Sequence, residues 1–268
     1  MKKAIIDSII ETMINMTDSK MLDYTSTDLK SFVTAATNTS AFTGLQAIAG
    51  SLIAFFFLIH LVQTTMKERS DPDAIFKDLA LCCLYAAIVT NLGALVINLA
   101  DVCSNLINIT RGHMDGLKAA FGNAPAVFDV EQFRPEFEKK HWMVLMLDAA
   151  LYKTFGNLSM IILKIIAKVA IYTVELEIMI RTVLLPLGIS QLPDDGWRGA
   201  GGRYIKAWIG CAFQLIVISA ALDMYPLLCL MAMDSNANSV LVSILAAGFA
   251  CGGLCMKASS IAREVAGA

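Results

Sequence analysis

Five stretches of this 268-residue chain stay apolar long enough to cross a bilayer's hydrocarbon core, which takes about 20 residues of helix. They run from Ala41 to Gln63, from Leu79 to Ala100 with the pattern continuing to Ile109, from Leu158 to about Leu187, from Trp208 to Met233, and from Val240 to Met256. A spanning segment must satisfy its own backbone polar groups, and a helix does so turn by turn. None of the stretches shows the sustained polar–apolar alternation of a membrane barrel strand. The expectation is an all-α, polytopic membrane helical protein with about five transmembrane helices and an amphipathic helix at the amino terminus. Composition removes the soluble alternative: 57% of residues are hydrophobic and only 16% charged, against about 25% charged in an average soluble domain. The mean hydropathy is +0.64. A disordered chain is excluded by the same figures. A net charge of −2 and a pI of about 5.9 exclude a basic nucleic-acid-binding globule.

The chain divides into a first segment, 1–40, a helix pair over 41–109, a long polar loop over 110–157, and a three-helix region over 158–268. The opening MKKAII resembles a signal peptide, but Asp7 and Glu11 interrupt its apolar run and no small-residue cleavage site follows. Ile6, Ile9, Ile10, Met13 and Met16 instead form one stripe of an amphipathic helix. It could lie in the membrane interface, pack on a partner helix, or be a short soluble helix at the domain edge. Within the long loop, Trp142–Leu151 is apolar but only half the length of a span, which suits an interfacial or re-entrant helix.

Five spans put the two ends on opposite sides. Basic residues are denser on the side holding Lys67, Arg69, Lys77, Arg198, Arg203, Lys206, Lys257 and Arg263, which makes that side cytoplasmic. The amino terminus and the long loop then lie outside the cell membrane. The seven cysteines sit mostly within apolar runs and form no CxxC pair, and so read as small helix-packing residues.

Polar residues at membrane depth are costly and mark working surfaces. Asn91, Asn98 and Asn105 recur every seven residues, with Asp101 and Asn108 between them, as one seam at a 3.5-residue repeat. The seam reads as a pore lining or as a polar contact between subunits, unless the helix leaves the membrane near Asp101. In the third span Lys164, Lys168 and Glu175 share a face, while Glu177 and Arg181 pair at four-residue spacing on the other side. Charge on two faces suits a bundle interior or a subunit interface, a helix with snorkelling ends, or a long helix only partly in the membrane. In the fourth span Pro226 should loosen the helix. Asp223 is a partner for Lys164 or Lys168, or else a carboxylate at the far interface. Gly248 and Gly252 form a GxxxG pair, which allows close helix approach. Phosphate-loop, zinc-protease, nucleophile-elbow and dinucleotide motifs are all missing, and His60, His113 and His141 are scattered. No enzyme, cofactor, catalytic residue or metal site is expected.

From Glu177 to Gln214 the chain reads EIMIRTVLLPLGISQLPDDGWRGAGGRYIKAWIGCAFQ. An apolar helix ends in Arg and LLPLGIS, a Gly-rich charged loop follows, and GRYIKAW opens the next span. This segment resembles the central region of the TrbL-like family, the polytopic inner-membrane channel subunits of conjugative type IV secretion systems. The layout resembles the small versions on conjugative elements of Gram-positive bacteria. The resemblance implies a homo-oligomeric scaffold in membrane lipid, contacting other secretion subunits including the ATPases. It would help single-stranded DNA with its attached relaxase, or a protein effector, to cross. By position, Arg181, Pro186, Gly188, Trp197 and Arg203 would belong to the family's cytoplasmic loop. There Pro186 would end a helix, the glycines at 199, 201 and 202 would let the backbone turn, and Trp197 and Trp208 would be interfacial anchors or ordinary loop punctuation. The alternative is a small-solute transporter or ion channel, which also places charges in its spans. Against it, five spans do not divide into inverted repeats.

Overall fold

A computed structural model of the chain describes residues 2–17, 27–66, 72–122, 133–232 and 240–267. Lys67, Arg69 and the turn Asp234–Ser239, which entered the topology argument, lie outside the described residues. Every regular element among those described is helical. They are α1 (Lys2–Thr17), α2 (Thr27–Thr37), α3 (Ser40–Met66), α4 (Pro72–Thr90), α5 (Leu92–Gly122), α6 (Arg134–Lys139), α7 (Trp142–Leu151), a π-helical turn (Tyr152–Gly156), α8 (Asn157–Ser190), α9 (Leu192–Asp195), a 3-10 turn (Gly196–Arg198), α10 (Ala200–Ala232) and α11 (Val240–Ala266). Among the described residues, five helical stretches are long and apolar enough to cross a membrane: Ser40–Gln63, Leu92–Thr110, Trp142–Ser190, Ala200–Tyr225 and Leu241–Ala266. The chain is an all-α, multi-pass membrane protein.

The second and third of the expected spans differ most in their bounds. The second is broken at Asn91, and its membrane-length part begins at Leu92 rather than Leu79. Thr90 and Asn91 carry short polar side chains that compete for backbone groups. The Thr90 hydroxyl donates to the Ala86 carbonyl and the Asn91 amide to that of Ala87, at 2.7 and 2.9 Å. From α3, Gln46 Nε2 donates to the carbonyls of Val89 and Thr90 at 2.6 and 2.9 Å. It serves carbonyls at a helix end, where intrahelical donors run out. The third span is longer than expected. Trp142–Leu151 runs through the π turn into α8, so the helical stretch continues over 49 residues. The fourth span stays helical on both sides of Pro226.

The chain forms two compact units. The first combines Met1–Thr25, Ile107–Tyr172 and Leu215–Ala258. In it α1 buries Ile6, Ile9, Ile10 and Met13, packing on α7 and the π turn, so these four residues of its apolar stripe are covered by this chain's own helices. Arg134 pairs with Asp7 at 2.9 Å, and Lys2 Nζ donates to the Glu138 carbonyl. The GxxxG pair of α11 also faces inward. A Cβ at Gly252 would touch Ile166 and Leu163 of α8, one at Gly248 would touch Tyr225 of α10, and the Cys251 thiol donates to the Ala221 carbonyl at 3.3 Å. Small residues here let backbones approach.

The second unit combines Ser26–Leu106, Thr173–Gln214 and Ser259–Ala268. Here α3 and α4 pack as a hairpin, and α2 lies on α3 with Leu29, Val33 and Ala36 buried.

Candidate functional site

The most closely built part of the second unit joins the end of α8 to the start of α10. Gly188 has the Tyr204 ring against it, so a Cβ there would lie 2.8 Å from a ring carbon. A Cβ on Gly201 would overlap the Gly188 carbonyl oxygen, and one on Gly202 would overlap that of Trp197. The turn between the helices uses Gly196 at φ +64°, a left-handed conformation that costs glycine little. Glycine is therefore required by backbone contact at Gly201 and Gly202, and by ring contact at Gly188.

Two polar links hold the same pair of helices, beside an ion pair within α8. Arg181 donates from Nε and Nη2 to Glu177 Oε1 at 2.9 and 2.6 Å. The Tyr204 hydroxyl donates to the Arg181 carbonyl at 3.0 Å, and the Trp208 indole N–H donates to Thr182 Oγ1 at 2.9 Å. The Cys211 thiol and Arg263 of α11 also face Glu177. At Gly210 the backbone of α10 comes against Ala262, Arg263 and Ala266 of α11. Glu177 thus sits among groups from three helices, half-buried and neutralised by arginine. Such an arrangement fixes helix positions through charge-assisted hydrogen bonds.

Several expectations for this segment change. Arg181, Pro186 and Gly188 are helical, not loop, because α8 continues four residues beyond Pro186 to Ser190. Proline near a helix end removes a single hydrogen bond, and packing against α10 holds the remaining turn. Only Trp197 of the five lies in the link, where it is exposed, and Arg203 is exposed on the first turn of α10. Trp208 is not an interfacial anchor: it is 1% exposed. Tyr204, Trp208 and Thr182 were missed as a set. The signal was available, since Tyr204 and Trp208 are four apart and share a helix face.

The seam residues separate. Asn91 lies at the break between α4 and α5, while Asn98 and Asn105 are exposed on α5. Asp101 pairs with Lys30 of α2 at 2.9 Å, both partly exposed. The third-span face is not uniform either: Lys168 is exposed, Lys164 half-buried and Glu175 buried. Among the described residues neither Lys164 nor Lys168 makes an ion pair. Asp223 is half-buried on α10.

Around these sites α8 presents an exposed stripe of Ile161, Ile165, Val169, Tyr172, Leu176 and Ile180 at helical spacing. In a multi-pass protein this is a lipid-contacting face. Among the described residues no group of three or more His, Cys, Asp or Glu side chains has metal-holding geometry. The fold and these surfaces define a polytopic helical membrane protein. No family model, no curated protein and no solved structure matches the chain.

Proposed function

We propose that the chain is a channel or scaffold subunit of a conjugative type IV secretion system, helping a DNA–relaxase substrate across the cell membrane. The observation that carries this reading is the glycine-clasped α8–α10 pair. The segment that resembles the TrbL-like family, Glu177–Gln214, is the one in which three glycines sit too close to neighbouring atoms for a Cβ. A translocation scaffold needs a helix pair rigid enough to hold other subunits in register. On this reading the protein self-associates in the membrane with its amino terminus outside. Trp197, Arg198 and Arg203, all exposed at the link, face the secretion ATPases on the cytoplasmic side.

The competing reading is a small-solute transporter or ion channel. Lys164 and Lys168, at membrane depth on α8 and without an ion pair among the described residues, favour it. The deciding experiment is DNA transfer frequency from a donor lacking this gene, with and without the gene restored in trans. The expected result is a large fall that the wild-type gene rescues. Undiminished transfer from an otherwise competent donor overturns the secretion reading, and solute-dependent current or uptake in proteoliposomes would then establish the other.

A further inference from the structure

The face of α5 that this chain leaves uncovered has a regular order. Leu95, Asn98, Val102 and Asn105 follow one another at steps of three, four and three, and all four are exposed. Asn91, also exposed, continues the seven-residue repeat back to the helix break. Aliphatic residues and asparagines therefore alternate along one seam, the a/d arrangement by which two helices pack side by side. The opposite face of the same helix, Leu92, Val96, Ala100 and Cys103, is buried in the second unit. Leu92–Thr110 is apolar and long enough to be a span, so the seam lies at membrane depth. Among the described residues the side chains of Asn98 and Asn105 have no hydrogen-bond partner. A primary amide left facing lipid tails is costly.

We propose that this seam of α5 is covered by the same seam of a second copy of the chain, with Asn98 and Asn105 hydrogen-bonding across the contact. The chemistry selects the occupant. An amide carries both a donor and an acceptor, so asparagine pairs with asparagine, and a seam repeating every seven residues meets its own copy in register. Between aliphatic neighbours, buried asparagines fix register and copy number where apolar contacts alone do not. Lys30 and Asp101, paired beside the seam, neutralise the one charge that would otherwise face its duplicate. The proposal deepens the self-association part of the proposed function and rests on that part alone, not on the cargo.

The test uses the full-length protein, purified alone into phosphatidylethanolamine–phosphatidylglycerol nanodiscs or mild detergent and read by native mass spectrometry. The wild type is expected to be oligomeric, and Asn98→Leu with Asn105→Leu to weaken self-association about tenfold or more, the scale of interhelical polar contacts in membranes. As a second measurement, p-benzoylphenylalanine at position 102 should give a photo-adduct of twice the chain mass that disappears in the double variant. A monomeric wild type overturns the proposal together with the self-association reading. A wild-type oligomer that the double variant leaves intact, with adducts from position 102 only to phospholipid, overturns this interface alone. Transfer frequency is scored separately, so loss of the secretion reading does not count against the contact.

Discussion

Helices α3 and α10 are both membrane-length and apolar, and the more apolar one is the less buried. The α3 span has a mean hydropathy of 2.2 and is 11% buried, whereas the α10 span has 1.8 and is 50% buried. In water the order would be reversed. Lipid tails are as apolar as leucine, so hydropathy takes a helix into the membrane without drawing it to other helices. Contact is decided by where backbones can meet. The glycines show it: a Cβ on Gly44 or Gly50 of α3 would meet nothing within 4 Å, while Gly188, Gly201 and Gly202 are closed off by backbone and ring atoms.

The sharpest way to break this comparison is to place valine in both settings. Gly201→Val and Gly202→Val drive side chains into carbonyl oxygens that cannot yield without moving a helix. Each should cost about 3 kcal/mol or more, at the upper end of overpacking penalties. Thermal unfolding in detergent should show folded yield collapsing. If either variant melts like the wild type, the clasp is not a constraint. Next in size is Trp208→Ala, which empties a fully buried site and frees Thr182. It should cost about 3–5 kcal/mol in a core that cannot collapse, and less where lipid or neighbours fill in. Trp208→Phe, which removes the indole N–H and part of the ring volume but keeps an aromatic ring in the site, should cost less, about 1–3 kcal/mol by the same measurement.

Smaller effects belong to α3 and its surroundings. Gln46→Leu leaves the Val89 and Thr90 carbonyls without their side-chain donor, at a cost of about 1–3 kcal/mol. Hydrogen exchange of the amides flanking Asn91 should rise while those of α10 stay unchanged. Lys30→Ala removes an ion pair whose side chains are 51% and 39% exposed, so solvent screening limits its effect to about 0.2–1 kcal/mol, weakening further with added salt. Gly44→Ala should change sign: with open space around it, the substitution should stabilise the helix by up to about 1 kcal/mol. A destabilised Gly44→Ala protein would mean that α3 is as tightly held as α10, and the contrast between them would fall.

What could be read in advance follows the same division. Hydropathy over windows of about 20 residues is a property of consecutive residues, so helicity, the five membrane-length stretches and the apolar stripe of α1 were visible from composition and period. The break at Asn91 was not, because it is completed by Gln46, 43 residues away from Val89. Nor was the fate of the polar positions. Asp101 looked like part of a free seam and is tied to Lys30, while Glu175 and Lys168 share a stripe but not an environment, one buried and the other exposed. Spacing fixes which way side chains point around a helix axis and leaves undetermined which neighbour, if any, stands there.

The glycines mark the boundary most clearly. The linear order LLPLGIS…GAGGRYIKAW announces a turn between two helices and names residues suited to it. That Gly188 sits inside a helix against Tyr204, and that Gly201 meets the Gly188 carbonyl oxygen, depends on α8 and α10 being brought together. The sequence by itself determined a membrane-embedded helical chain, because transfer of apolar helix into lipid is a local free energy summed along the chain. Only the tertiary structure decided which faces are closed and which remain open, since close contact, ion pairing and shared hydrogen bonds each need two partners from distant parts of the chain.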